Sequence, residues 1–242
     1  MLARRVSVII PALNEQDNIE AAVASAHEAL AGRVDDYELL LFDDGSTDQT
    51  GAIMERIALT DPKVRVTHHE KPRNLGGVYK HGIKLARFEY VFLVPGDNEN
   101  PTSAIIPVVD LIGKADIIVP YAMNQHDRPL HRRIGSRGYT FLMNNLFGIG
   151  LKYFNGTVIH RTDLLRAITI HTDSFGYQAE ILVKTLRAGA TFHEVGIRID
   201  AKPASRKSNA LTKKNLTAVG QSLGDLFLEV HLPQVAAARR KA

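Results

Sequence analysis

The first 120 residues alternate short apolar runs with stretches of helical periodicity, and this alternation limits the fold more than any other feature. Residues 6–10 are an apolar, β-branched run stopped by Pro11. The segment opened by Asn14, Glu15, Gln16 and Asp17 then carries Ile19, Val23, Ala26 and Leu30 close to a 3.6-residue period. Residues 37–42 are a second strand ending on Asp43-Asp44-Gly45-Ser46, with Ser46 or Thr47 as the expected cap of a helix bearing Ile53, Met54 and Ile57. Residues 63–67 alternate like a half-exposed strand, Gly76-Gly77 lead into a helix reaching Leu85, and 90–94 read as a buried strand. Thr102 is the expected cap of the next helix, and 117–120 a fifth strand. Apolar strands separated by helices predict an α/β fold whose parallel sheet is covered on both faces.

The second half is less regular. Residues 122–135 read as a polar, basic loop, 136–147 and 177–188 as helices, and 158–160 and 191–199 as strands. Residues 202–214 read as a flexible basic segment. A last helix over 216–231 aligns Leu216, Val219, Leu223, Leu226, Phe227 and Val230, a stripe that packs on a core or lies on a membrane surface. The expected division is a catalytic domain over 1–200, with halves 1–120 and 121–200, followed by a basic helical tail over 201–242. With 45% hydrophobic residues, the 242-residue chain can build a substantial core. No apolar run approaches the ~18 residues of a membrane span, and the start runs straight into a strand, so neither a transmembrane helix nor a signal peptide is expected. Zero cysteines exclude disulfides and thiolate chemistry and fit the cytoplasm. Residues 1–197 carry 21 Lys+Arg against 23 Asp+Glu, and residues 198–242 carry 9 against 3. A basic tail on a nearly neutral body suits phosphates or the inner face of a membrane, where the chain would sit peripherally.

Ligands of open parallel sheets bind beyond the carboxyl ends of the strands. Three such ends are polar here: 11–15, 43–48 and 95–99. In Asp97-Asn98-Glu99 the two carboxylates, two residues apart, would point the same way along an extended stretch and share a hard cation, Mg²⁺ or Mn²⁺. Such a cation would neutralise a diphosphate, which makes a nucleotide-sugar a sensible ligand. Asp43 and Asp44 suit base N–H and ribose hydroxyl groups. The adjacent His68 and His69 face opposite sides of a strand, so zinc is not expected. No phosphate-loop or dinucleotide Gly-x-Gly-x-x-Gly motif occurs, which disfavours NTPases and oxidoreductases, and no nucleic-acid partner is expected.

The segments Val6-Ser-Val-Ile-Ile-Pro-Ala-Leu-Asn-Glu15, Phe42-Asp-Asp-Gly-Ser-Thr-Asp48, Asn74-Leu-Gly-Gly77 and Val94-Pro-Gly-Asp-Asn-Glu-Asn-Pro101 together resemble the family 2 glycosyltransferases with a GT-A fold. Within these the chain looks most like the polyprenyl-phosphate glycosyltransferases, the dolichol-phosphate mannose synthase group. The resemblance is strong over 6–120. Over 128–200 it is weaker, resting on Arg133-Ile-Gly-Ser136, Asn155-Gly156 and His193-Glu-Val-Gly-Ile197. It implies a GT-A, Rossmann-like, mostly parallel sheet and inverting transfer from a UDP- or GDP-sugar with a divalent metal. It also implies nucleotide-sugar contacts from Pro11, Ala12, Asn14, Glu15, Asp43, Asp44, Gly76 and Asp97, with Asp97 and Glu99 on the metal. The family's metal motif normally begins with an Asp where this chain has Pro95, and the turn at 74–77 is shorter than the family's usual form.

A lipid phosphate with a second pKa near ~6 is already an anionic nucleophile and needs cationic guidance rather than a base. Arg128, Arg132, Arg133, Arg137, Arg206, Lys207, Lys213 and Lys214 offer it, and Arg133, Arg137 and Arg206 match the family's phosphate-binding positions. The expected acceptor is therefore a polyprenyl phosphate or similar lipid phosphate at the membrane surface, and a second copy of the chain is a candidate partner. Two rival readings stand beside it. A transferase of the same fold acting on a glycan hydroxyl would use Glu180 as its base. A non-catalytic nucleotide-sugar-binding protein would fit the loss of a ligand at Pro95.

Overall fold

The structure, a computed structural model, describes residues 2–124, 126, 129–154, 156–174, 176–198, 213–232 and 234. Its strands are β1 (Arg5–Ala12), β2 (Asp36–Asp43), β3 (Val64–His68), β4 (Tyr90–Leu93), β5 (Ile117–Ala122), β6 (Ile159–Arg161) and β7 (Phe192–Ile197). The helices are α1 (Ile19–Leu30), α2 (Thr50–Thr60), α3 (Asn74–Leu85), α4 (Thr102–Val109), α5 (Leu130–Phe147), α6 (Thr162–Ala167), α7 (Tyr177–Arg187) and α8 (Lys213–His231). The strands form one seven-stranded sheet in the order β3-β2-β1-β4-β6-β5-β7. Every pairing is parallel except those of β6, which runs antiparallel to both β4 and β5. The expected parallel sheet is thus interrupted by one three-residue strand.

The pleat sorts the apolar runs into two layers. Val6, Val8, Ile10, Leu39, Leu41, Phe92 and Val94 pack with α1 and α4, while Ile9, Leu40, Phe42, Val91 and Leu93 pack with Val78, Tyr79 and Ile83 of α3 and Ile181 of α7. Since β1 is buried on both faces, its sequence has no polar alternation beyond Ser7. A third cluster joins Ile117 and Val119 of β5 to Met143 and Phe147 of α5, Leu182 of α7 and Leu226 of α8. Leu223, Phe227 and Val230 pack against it, so the stripe from Leu223 to Val230 belongs to the core, while the side chain of Leu216 lies outside the described residues. Among the described residues no helix is long and apolar enough to cross a membrane.

Several local expectations are corrected. α5 begins at Leu130, not 136, because Pro129 holds an extended N-cap and the glycines at 135 and 138 do not break the turn. Gln49, not Ser46 or Thr47, is the N-cap of α2, and the Asp48 carboxylate just before it accepts the Thr50 N–H at 2.9 Å. Pro101 occupies the N-cap of α4, and Thr102 donates to Glu28 instead. Gly76 and Gly77 lie inside α3 rather than ahead of it.

The chain crosses from β3 to β4 on the other side of β1, so the order reverses at β1 and its carboxyl end is the switch point of the sheet. There the Gly96 N–H donates to the Pro11 carbonyl at 3.0 Å and the Asp44 N–H to the Ala12 carbonyl at 2.9 Å. A Cβ at Gly96 would stand 2.9 Å from both the Ala12 Cβ and the Pro11 carbonyl oxygen, neither of which can swing away. Gly96→Ala is expected to lose about 1–3 kcal/mol of stability in urea titrations, the usual range for overpacking.

Candidate active site at the carboxyl edge of the sheet

The turns after β1 and β2 are laced by side chains. Asn14, held in the left-handed region at φ 57°, accepts from the Thr47 N–H at 2.8 Å, and its own N–H donates to Ser46 Oγ at 3.0 Å. The Glu15 N–H donates to Thr50 Oγ1 at 2.8 Å and the Gln16 N–H to Asp48 at 3.3 Å. Glu15 in turn accepts from Asn18 at 2.7 Å. Ser46, Thr47, Asp48 and Thr50 therefore act as the frame that holds Asn14 and Glu15.

Asp43 and Asp44 are buried at the end of β2, and each is held by a histidine. The parallel register sets Asp43 opposite His68, whose Nδ1–H donates to Asp43 at 2.9 Å while Nε2–H donates to Glu55 at 2.8 Å. These two carboxylates raise the His68 pKa above its ordinary 6.5. Burial pushes the Asp43 carboxyl up, but hydrogen bonds from Ser46 and His68 outweigh it and leave the pKa below 3.8. Asp44 accepts the Arg73 N–H at 2.9 Å and His69 Nδ1–H at 2.7 Å. His69 Nε2 lies 3.0 Å from His81 Nδ1, with the two rings stacked beside Phe42. Burial, and then the neighbouring His69, lowers the His81 pKa. His81 thus forms the outer end of an Asp44–His69–His81 chain. The two adjacent histidines part as strand geometry requires, yet their partners, the two aspartates, were legible only from strand register.

Asp97 follows β4 in a turn, not in an extended stretch, and Asn98 sits at φ 54°. The two-residue alternation expected for Asp97 and Glu99 therefore does not apply. The turn instead folds the Glu99 N–H onto Asp97 Oδ1 at 3.1 Å. Both side chains are half-buried, and their oxygens are the donor type that a hard divalent cation selects. Two carboxylates would leave the remaining positions to water and phosphate oxygens, as Mg²⁺ prefers. Among the described residues, the group of three metal-type side chains is His171, Glu180 and Glu229. There the Lys184 ammonium lies 2.7 Å from Glu180 and 3.0 Å from Glu229, so the protein supplies that cation itself.

Gly76 is where α3 touches the 172–173 backbone. Its N–H donates to the Asp173 carbonyl at 3.1 Å, and a Cβ would stand 2.8 Å from the Thr172 oxygen. Glu180 holds that same loop from below. It is buried, not an exposed helix carboxylate, and it accepts the N–H groups of His171 and Thr172 at 2.9 and 3.0 Å as well as Lys184. A carboxylate so occupied is a clamp on the loop that supports α3, and its geometry does not suit the base expected of it. Arg133 is half-buried and Arg137 exposed one turn further along α5. Arg128, Arg206, Lys207 and Asn155 lie outside the described residues, as do the side chains of Lys213 and Lys214.

The structure thus gathers Pro11, Ala12, Asn14, Glu15, Asp43, Asp44, Asp97 and Glu99 on one edge of the sheet, with Gly76 joined to them through Arg73. The glycosyl transferase family 2 model matches residues 7–168, more than half of the chain. The chain belongs to glycosyl transferase family 2. It is 30% identical over 207 residues to a polyprenol monophosphomannose synthase of Mycolicibacterium smegmatis, covering 80% of this chain and 77% of that one. It is 26% identical over 204 residues to an undecaprenyl-phosphate mannosyltransferase of Micrococcus luteus, covering 80% and 82%. A glucosyl-3-phosphoglycerate synthase from Mycobacterium tuberculosis, solved with Mn²⁺, UDP-glucose and phosphoglyceric acid, superimposes with a TM-score of 0.69 at 18% identity, covering 93% of this chain and 79% of that one. The fold of this glycosyltransferase is GT-A.

Two outcomes follow for the site. His68 contributes stability that is complete below pH 6.5 and lost as pH rises through its raised pKa. Asp43 contributes stability that is complete above pH 3.8 and lost as pH falls through its lowered one. Histidine NMR titration should therefore find His68 above 6.5, returning toward it in Asp43→Asn. Glu180→Ala, which strands two N–H groups and leaves the Lys184 ammonium only Glu229 and the Thr169 carbonyl, should cost about 3 kcal/mol in denaturant unfolding.

Proposed function

We propose that this glycosyltransferase moves a sugar from a nucleoside-diphosphate donor to a polyprenyl phosphate, with inversion at the anomeric carbon. The observation that carries the reading is the attachment of the loops after β2 and β4 to the last carbonyls of β1, which brings the segments bearing Asp43, Asp44 and Asp97 to one edge of the sheet. The names of the two mannosyl-transferring relatives support the acceptor class. In this reading Asp43, Asp44, Asn14 and Glu15 bind the nucleoside, with Pro11 and Ala12 as backbone walls and Gly76 as the support behind them. Asp97 and Glu99 hold a divalent cation, Mg²⁺ or Mn²⁺. When bound, that cation neutralises the diphosphate and so improves it as a leaving group.

An acceptor phosphate oxygen attacks the anomeric carbon from the face opposite the diphosphate. The new carbon–oxygen bond forms as the bond to the diphosphate breaks, and the nucleoside diphosphate departs with the electron pair. The phosphate nucleophile carries no proton that must be removed, which agrees with the occupied carboxylate of Glu180. Arg133 and Arg137, one helical turn apart, grip the acceptor phosphate with guanidinium forks; Arg206 is the third cation of this proposal.

Thermal-shift measurements with UDP and GDP, each with Mn²⁺, Mg²⁺ or EDTA, test the donor side. One nucleotide should raise the melting temperature only when metal is present, and Asp97→Ala should abolish that dependence. The same variant should lower kcat/KM about a hundredfold to a thousandfold with its fold intact. Full activity in Asp97→Ala would remove the metal role from the turn.

A further inference from the structure

A groove of about 800 Å³ runs along α3, closed on its other side by α6 and the chain that follows to Asp173. That volume is ordinary for a small-molecule site. Arg73, Lys80 and Lys84 recur at helical spacing on its α3 wall, and Arg166 stands on the opposite one. Against these four permanent cations the described lining has one carboxylate, Asp173, which lies 2.6 Å from Lys80. Arg166 donates to the Ile83 and Ala86 carbonyls at 3.2 and 2.6 Å, which fixes its guanidinium at the end of α3. Arg73 and Lys84 are exposed and pair with no carboxylate among the described residues. Beside the cations the groove is apolar, with Ile83, Leu165, Ile168 and Ile170 as its floor.

His81 completes the wall. Its half-buried ring lines the groove while Nδ1 lies 3.0 Å from His69, and Nε2 has no hydrogen-bond partner among the described residues. Burial first, then His69, Arg73 and Lys84 depress the His81 pKa, so the two unpaired wall cations act at the ring. The same positive field favours an anion seated among them. Guanidinium and ammonium groups suit phosphate in particular. The isoleucine and leucine floor selects further, because an apolar body attached to that phosphate is removed from water when it lies there. A concave site of this size holds a small molecule, whereas a nucleic acid or a membrane would meet a flat or convex surface. None of Asp43, Asp97, Glu99 and Arg133 lines the groove, so it is separate from the metal turn and from the acceptor arginines.

We propose that the groove between α3 and α6 is a second ligand site, which takes a water-soluble organic phosphate with the phosphate among the α3 cations and the apolar body on Ile83, Leu165, Ile168 and Ile170. The site needs neither donor sugar nor metal, so it is tested on the full chain in EDTA, independently of transfer activity. His81 is the reporter, its ring resonances assigned by their loss in His81→Gln. Phenyl phosphate should shift them saturably with a Kd on the order of 1 mM, in keeping with so small a ligand. Inorganic phosphate, which lacks the apolar body, should bind at least ~5-fold more weakly. Arg73→Ser/Lys84→Ser, which keeps the Arg73 backbone N–H on Asp44, should weaken phenyl phosphate at least ~5-fold with an unchanged unfolding midpoint. Should the double variant fail to fold, Lys84→Ser alone, at an exposed helix position, must move affinity the same way. No saturable shift of His81, or equal affinity in wild type and variant, would overturn the proposal. Inorganic phosphate binding as tightly as phenyl phosphate would overturn the apolar half of the ligand. A response confined to phosphatidic acid vesicles would overturn the soluble ligand in favour of a lipid headgroup.

Discussion

The last two carbonyls of β1 are shared between its neighbours on either side. Pro11 receives the Gly96 N–H and Ala12 the Asp44 N–H, so one strand end fixes both loops that carry acidic residues. Backbone hydrogen bonds at the end of a buried strand cannot be exchanged for water without leaving polar groups unpaired. The positions of Asp44 and of the Asp97 turn therefore follow from the sheet itself. Gly96 is required because the backbones meet too closely for a Cβ, and the left-handed Asn14 because the turn must double back onto Ser46 and Thr47.

Around that strand end the site is supported in layers. Histidines from the end of β3 hold the two aspartates of β2, and α3 follows with its first glycines against the 172–173 backbone. Glu180 then secures that backbone from α7 while pairing with Lys184, itself paired to Glu229 of α8. A line of hydrogen bonds and close contacts thus runs from Asp44 to the last helix. Buried, fully partnered polar groups of this kind specify one arrangement, because breaking any member leaves another unsatisfied.

The strand ends were legible because each apolar run stops on residues that favour turns, and the α/β class because apolar strands alternating with helices are buried on both faces. Other features were not. The strand at 158–160 was read, but not its antiparallel direction, because three residues carry no signal of orientation. The start of α5 was hidden because its first turns carry arginines and glycines and reach the core only from Tyr139 onward. The pairing of Asp43 with His68 depends on the register of β2 and β3, which spacing along the chain does not encode. Glu180 was visible as a helix carboxylate, but the two N–H groups it accepts come from a loop eight and nine residues before it. The stripe on the last helix had the right period, and tertiary packing assigned its Leu223–Val230 part to the core.

Transfer of a sugar to a lipid phosphate with inversion is tested most directly by product analysis: purified protein, a polyprenyl phosphate, Mn²⁺ and the nucleotide-sugar selected by binding, followed by mass spectrometry and NMR of the lipid product. The expected product is a single glycosyl phosphodiester on the polyprenyl chain, with anomeric configuration opposite to that of the donor, and release of one nucleoside diphosphate per product. Retention of configuration, or transfer to a hydroxyl acceptor while the lipid phosphate is left unchanged, would contradict it.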